Sequence, residues 1–260
     1  MRETQAQQAP FRPGDPDRPF LLAADIDGTL LGDVDGELAF KTFVRNSAKS
    51  LCLVLITGRT LASVQDLVRE ERLPRPDYIV AAVGTELLDC GDAGNGLGQK
   101  YSARVPQGWD LETIYALGEG AGIRRQQFAE GQPRFQAGFH WDGRPGTLAA
   151  FRRRLAKLSG CRILPSSGQF IDVLPHHVGK GEAVRFLQQE LGLDPARVVV
   201  AGDTGNDREM FETGFKGIIP VNALDELKAV ACRPWHYQSG LPAARGLMDG
   251  LYHFGFVEQA

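Results

Sequence analysis

The chain has 260 residues, 43% of them hydrophobic and 23% charged, with a formal net charge of -3 and a sequence pI near 6.0. That length suits one large domain or two small ones with a real core, and the mild acidity excludes bulk attraction to nucleic acid or acidic membranes. An anionic substrate then needs locally placed cations and a metal. Cys52, Cys90, Cys161 and Cys232 are scattered and form no CxxC pair, which argues against a disulfide framework or zinc site and for reduced thiols.

Residues 1–19 are polar and rich in Gln, Pro and Asp, and read as a mobile, disordered tail, neither signal peptide nor membrane anchor. No later stretch has the length of a membrane span, so a soluble, cytoplasmic protein is expected. Short apolar runs at 20–24, 51–56, 78–83, 198–201 and 217–221 read as buried strands of a parallel sheet covered on both faces. Helical patterns at 61–71, 181–191, 224–231 and 243–254 alternate with them, giving an α/β, doubly wound, Rossmann-like core.

The middle of the chain breaks this rhythm. Residues 89–99 are Gly- and Asp-rich and read as a linker. Strands are expected near 100–105, 123–128, 134–141, 161–164 and 169–174, with helices near 111–118 and 147–158. In the stretch 134–141, Phe135, Ala137, Phe139 and Trp141 alternate with Gln136 and His140, the pattern of an antiparallel strand backed by helices on one face. An α+β cap domain at 90–172 is therefore predicted, inserted into a catalytic core of 20–89 and 173–260.

Four motifs carry chemistry. The strand at 20–24 runs into Asp25-Ile26-Asp27-Gly28-Thr29-Leu30. In an extended segment, residues two apart point the same way, so Asp25 and Asp27 can converge on one substrate. One carboxylate can attack phosphorus and the other can serve as acid and base. A plain strand-end turn is the alternative; a calcium loop fails because Leu30 and Gly36 occupy its critical positions. The second strand ends at Thr57-Gly58-Arg59, able to hold a phosphoryl oxygen or simply to cap the next helix. Lys180 opens a helix, where it opposes the dipole and where neutralising a phosphate gives it a reason. The fourth is Gly202-Asp203-Thr204-Gly205-Asn206-Asp207, acids suited to magnesium, which takes a few carboxylates plus water and phosphate; a helix-capping loop is the alternative. All four lie at carboxyl ends of predicted parallel strands, where such sheets bind ligands, and together they match what phosphoryl transfer requires.

These motifs, in this order, closely resemble those of the haloacid dehalogenase-type phosphatases over residues of about 20–256. The resemblance implies Asp25 as nucleophile, Asp27 as acid/base, Thr57 and Lys180 holding the phosphoryl group, and Mg2+ bound by Asp25, the Asp27 carbonyl and Asp203, with Asp207 in support. The cap's position resembles the C2B type. Val83-Gly84-Thr85-Glu86, Asp172-Val173-Leu174-Pro175 and residues 244–251 resemble sucrose-phosphate and mannosylfructose-phosphate phosphatases. Gly58, Arg59, Thr85, Glu86, Gln136, His140 and Asn206 complete the expected substrate-binding set. The implied substrate is a sugar phosphate, such as the disaccharide ester sucrose 6-phosphate, with the sugar left open by the stretch 135–140. A phosphomutase of the same cap type and a non-catalytic partner of a glycosyltransferase are the alternatives. A sugar-phosphate synthase is the expected protein neighbour, with no nucleic-acid or membrane partner. Arg124, Arg125, Arg152, Arg153 and Arg154 read as solvated faces, His176 and His177 as loop residues, and Trp109, Trp141 and Trp235 as core.

Overall fold

The computed structural model describes residues 20–47, 50–91 and 96–257; the predicted tail at 1–19 and part of the predicted linker lie outside them. The chain opens with β1 (Phe20–Ala24), α1 (Val34–Asn46), β2 (Leu51–Ile56), α2 (Leu61–Arg69), β3 (Tyr78–Ala81) and β4 (Glu86–Asp89). Next come α3 (Leu97–Ser102), α4 (Leu111–Glu119), β5 (Arg124–Arg125), β6 (Ala137–His140), α5 (Pro145–Leu155), β7 (Cys161–Ser166) and β8 (Phe170–Pro175). Then follow α6 (Lys180–Glu190), β9 (Val198–Ala201), α7 (Arg208–Phe211), β10 (Lys216–Ile219), α8 (Asp225–Lys228), β11 (His236–Gln238) and α9 (Ala243–His253).

One sheet runs β11-β10-β9-β1-β2-β3-β4, parallel except for the antiparallel edge strand β4. Strands β1, β2 and β9 are apolar at every position because both faces are covered. Leu21, Ala23, Cys52, Val54 and Ile56 pack in one core with residues of α3, α6 and α7. Their neighbours Phe20, Leu22, Leu51, Leu53 and Leu55 pack in the other, with α1, α2 and α9. Burying each such side chain is worth about 1.5–3 kcal/mol, so a one-residue slip would exchange two complete apolar faces. The strand β1 lies between β2 and β9, where the order reverses and a crevice opens at the carboxyl ends.

The second sheet runs β5-β6-β8-β7, all antiparallel. Ala137, Phe139, Ile171 and Val173 point to α4 and α5 and pack with Ile114, Tyr115, Phe151 and Leu155. Phe139 lies between two rings, 5.1 Å from Tyr115 and 5.2 Å from Phe151. The alternation seen in the sequence thus gives the helix-backed face for Ala137 and Phe139, with Trp141 and Trp109 packed at its margin, whereas Phe135 precedes the strand and lies outside this core.

Several elements differ from expectation. The stretch expected as a strand at 100–105 begins inside α3, because Leu97 and Tyr101, four apart and on one helical face, pack into the core of the large sheet. The strands expected at 123–128 and 134–141 shrink to β5 and β6; the intervening run holds Gly131 and Pro133, and proline has no ladder donor. The helix α1 went unread because its buried stripe of Gly36, Phe40 and Val44 is interrupted by exposed Val34 and Leu38. The edge strands β4 and β11 were missed because their partly polar sequences are only partly buried. Trp235 is 42% exposed rather than core.

Candidate active site

The backbone of β1 carries straight to Asp25, whose N–H donates to the Ala201 carbonyl of β9. The chain then turns, with the Leu30 and Leu31 amides both donating to the Ile26 carbonyl. Gly28 at φ +78° makes the turn possible, and a side chain there would lie 2.1 Å from a carboxylate oxygen of Asp203. This glycine therefore seats the first motif directly on the fourth.

Lys180 is fully buried and is the hub of the site. Its Nζ donates to Asp25 Oδ1 at 2.6 Å, Asp207 Oδ1 at 2.6 Å and Asn206 Oδ1 at 2.9 Å. The alternative of an exposed lysine without a role is thereby excluded. Asp207 uses its other oxygen to accept from the amides of Asp203 and Thr204, each at 3.0 Å. It ties the lysine to the loop, and Thr204 and Asp207 form a capping box on the 3-10 turn 205–207, whereas α7, which holds Glu209, has no side-chain cap of its own.

The carboxylates of Asp25, Asp203 and Asp207 lie within 4.8 Å of one another and are all buried. Burial holds the Asp203 carboxyl up at about 7, with repulsion from Asp207 adding to it. Burial also raises Asp25 well above the usual carboxylate range, although Lys180 pulls the other way. Burial disfavours the charge on Lys180, but Asp207 and Asp25 outweigh it and leave the ammonium more strongly held than in water. Two of the three acids thus share one lysine, and Asp203 Oδ1 is buried without a hydrogen-bond partner among the described residues. An acid cluster of this composition, with an orphaned oxygen, fits a divalent cation bound by oxygen.

Asp27 stands apart from that cluster. Its side chain is 55% exposed and gripped by Arg59, with Nε and Nη2 each 2.7 Å from a carboxylate oxygen. Thr57, 1% exposed, accepts from the Arg59 amide at 3.2 Å. It does not cap α2; Thr60 does, accepting from the Ser63 amide at 3.2 Å. The capping alternative for Thr57 therefore falls away.

Asp25, Asp27, Thr57, Gly58, Arg59, Gln136 and Asn206 line a single cavity of about 420 Å³ between the two sheets, a size that suits a small organic ligand. Lys180, Asp203 and Asp207 lie just beneath it. Thr85 is not in this lining: it is buried and its hydroxyl donates to the Ala82 carbonyl at 2.9 Å. Glu86 lies at the seam, accepting from the Arg134 amide at 2.8 Å, and His140 packs on Phe170 with ring centroids 5.5 Å apart; neither lines the cavity. Conversely, Gln126, Phe128, Glu130, Ser166, Phe170 and Asp172 do line it. Asp172 was readable from the alternation within its strand, since it shares a face with Gly138 of β6. Residues 126–128 were expected in a strand but lie with 129 and 130 in the loop after β5.

The sequence matches the family of sucrose-6F-phosphate phosphohydrolase over residues 18–255. The chain belongs to that family, and is a phosphatase of the haloacid dehalogenase type. It is 35% identical to mannosylfructose-phosphate phosphatase of Agrobacterium fabrum, over 90% of this chain and 96% of that protein. It is 30% identical to glucosylglycerol-phosphate synthase of Pseudomonas anguilliseptica, over 91% of this chain but only 31% of the synthase. Among solved structures, the sucrose-phosphatase of Synechocystis sp. in complex with sucrose and phosphate superposes with a TM-score of 0.83 and 28% identity, over 92% of this chain and 98% of that one. Among the described residues no helix is long and apolar enough to cross a membrane.

Proposed function

We propose that this phosphatase hydrolyses the phosphate ester of a neutral disaccharide, of the kind represented by sucrose 6-phosphate or mannosylfructose phosphate, with Mg2+ and through an aspartyl-phosphate intermediate. The observation that carries the mechanism is the buried Lys180 bridge to Asp25 and Asp207 at the floor of the cavity. Asp25 is the nucleophile, held in position by Lys180 at one oxygen. Thr57 and Lys180 receive the phosphoryl oxygens. Asp27, exposed at the mouth and steered by Arg59, protonates the leaving sugar oxygen and then takes a proton from the attacking water. Magnesium, held by Asp25, the Asp27 carbonyl and Asp203 with Asp207 behind them, would neutralise charge on the transferring group.

The stretch from about 90 to 172 acts as the specificity-determining cap, except that α3 belongs by its packing to the core. Gln136 recognises the sugar from above, and its names-in-common relatives support a sugar as the leaving group. The synthase relative supports a sugar-phosphate synthase as this enzyme's neighbour, and the four free thiols suit the reducing cytoplasm. The test is phosphate release from a panel of disaccharide phosphates. Asp25→Asn should abolish release, because an amide cannot attack phosphorus; chelation should abolish it reversibly, with magnesium restoring it and calcium doing so poorly. Turnover persisting in Asp25→Asn or after exhaustive chelation would sink the mechanism.

A further inference from the structure

Lys180 reaches the site from a place where two segments of the chain cross. One is residues 82–84, after β3; the other is Val178 and Gly179, which lead into α6. Ala82, Val83 and Gly84 have φ values of 52°, 55° and 86°. Three successive residues in the left-handed region, two of them with side chains, stay there only where their surroundings hold them. A side chain on Gly84 would lie 2.1 Å from the Lys180 backbone nitrogen and from the Gly179 carbonyl carbon. The two backbones therefore touch directly before the lysine.

Tyr101 of α3 closes this crossing. It is fully buried, with its ring 5.1 Å from that of Phe186 in α6. Its hydroxyl donates to the Gly84 carbonyl at 2.8 Å, with the Gly179 carbonyl at 3.2 Å as a second acceptor, and accepts from the Gly179 amide at 3.1 Å. One oxygen thus ties both segments together. Gly179 is the N-cap of α6, which has no side-chain cap of its own, so a hydroxyl from another helix anchors that end. Arg162 of β7 holds the same lead-in, donating to the Val178 carbonyl at 2.7 Å. Neither Tyr101 nor Arg162 is among the residues that line the cavity. Burial pushes the Tyr101 phenol above its usual range, so it keeps its proton and is no acid or base for the reaction.

The consequence falls on Lys180. Its Nζ lies 2.6 Å from Asp25, 2.6 Å from Asp207 and 2.9 Å from Asn206, and bonds this short weaken with small displacements of the donor. We infer that Tyr101 and Arg162 are positioning residues for the phosphoryl-transfer step: they fix the lead-in to α6, and through it the place of the Lys180 ammonium against Asp25. The inference rests on the reading of Asp25 and Lys180 given above and adds two residues that lie outside the cavity.

The test is Tyr101→Phe, which keeps the ring beside Phe186 and removes only the bridging oxygen. With magnesium saturating, kcat for p-nitrophenyl phosphate should fall about 10-fold, since a misplaced lysine fails in the transition state. KM should change by less than about 2-fold. Tyr115→Phe is the control. It removes a similarly buried tyrosine hydroxyl, bonded to Gln132 within the cap at 2.9 Å, and should leave aryl-ester turnover within about 2-fold of wild type. Each rate is taken per folded molecule, at a temperature where circular dichroism shows the variant intact. A folded Tyr101→Phe with wild-type kcat overturns the inference, whatever its stability in urea, and so do equal losses in the two tyrosine variants. Should Tyr101→Phe fail to fold, Arg162→Gln decides in the same way. It frees the Val178 carbonyl and should lower kcat about 3-fold with KM unchanged; wild-type kcat in that variant overturns the inference. Failure of the underlying phosphatase reading shows differently, as turnover that survives Asp25→Asn.

Discussion

The floor and the roof of this one cavity handle buried charge in opposite ways. At the floor, three carboxylates crowd within 4.8 Å of one another, and two of them pair with a single buried lysine. At the roof, the buried Asp172 carboxylate has the Gln136 amide as its side-chain hydrogen-bonding partner among the described residues. On the proposed reading, the floor binds cation and phosphate whatever the leaving group. On the same reading, the roof receives the sugar hydroxyls. If the core catalyses and the cap discriminates, the two can be perturbed separately.

The largest expected effect comes from breaking the floor. Lys180→Met keeps the length of the side chain but leaves Asp25 and Asp207 without their shared cation. Phosphate release should fall by on the order of 100- to 1000-fold for sugar and aryl esters alike, as for loss of a transition-state donor. Removing one partner from a buried ionic group costs about 3–5 kcal/mol, visible in urea unfolding. Magnesium should recover part of that stability, since the remaining acids can share it. A variant with normal unfolding and a loss confined to sugar esters would remove the distinction between floor and roof.

The contrast between the two regions was only half visible in the sequence. The floor could be read because each of its residues follows an apolar strand, and a buried strand is a strong local signal; β1, β2 and β9 match their expected limits residue for residue. Lys180 stood out because a lysine in a first helical turn opposes the dipole. The roof was harder. The alternation around Ala137 and Phe139 gave the correct buried face, and hence Gln136 on the other. Yet His140, two residues past Gly138 on that same face, lies against Phe170 outside the cavity lining. Periodicity assigns a face but not a position along it. Glu130 and Phe128 lie in a loop, where no period exists to read; Gly138 leaves the space that Phe128 and Gln126 occupy, since a side chain there would come within 2.9 Å of both.

A medium effect tests the charge at the roof. Burial lifts the Asp172 carboxyl to about 6, with Gln136 and Lys180 pulling it down only in part. In the unfolded chain its pKa is about 3.9. The folded state therefore holds the proton more tightly, and unfolding releases it. Stability from this group is fully present below about pH 4 and is lost as pH rises through about 6, a change of about 3 kcal/mol. Asp172→Asn has no proton to lose. Its unfolding free energy relative to wild type should increase by up to about 3 kcal/mol between pH 4 and pH 7.5, measured by urea titration at each pH without metal. Parallel stability curves for the two proteins would show that burial imposes no such cost.

The smallest effect separates recognition from packing at Gln136. Its Nε2 is committed to Asp172 and its buried Oε1 has no partner among the described residues, so a bound hydroxyl that reached it would satisfy an orphaned acceptor. Gln136→Ala removes that acceptor and the donor to Asp172 together. A hydrogen bond of this kind is worth about 1–2 kcal/mol, so kcat/KM for a disaccharide phosphate should fall about 5- to 30-fold, while a small aryl phosphate that does not reach the roof should lose far less. Gln136→Glu sharpens the outcome: it keeps an acceptor but sets a second carboxylate against Asp172 in a buried place. Both groups cannot be ionised there at little cost, so the variant should bind the disaccharide ester more weakly than wild type at about pH 8 and recover towards about pH 5.5 as the pair gains a proton. Equal losses on both substrates in Gln136→Ala would instead place this residue in the support of the fold, and leave the selection of the sugar to the loop that carries Phe128 and Glu130.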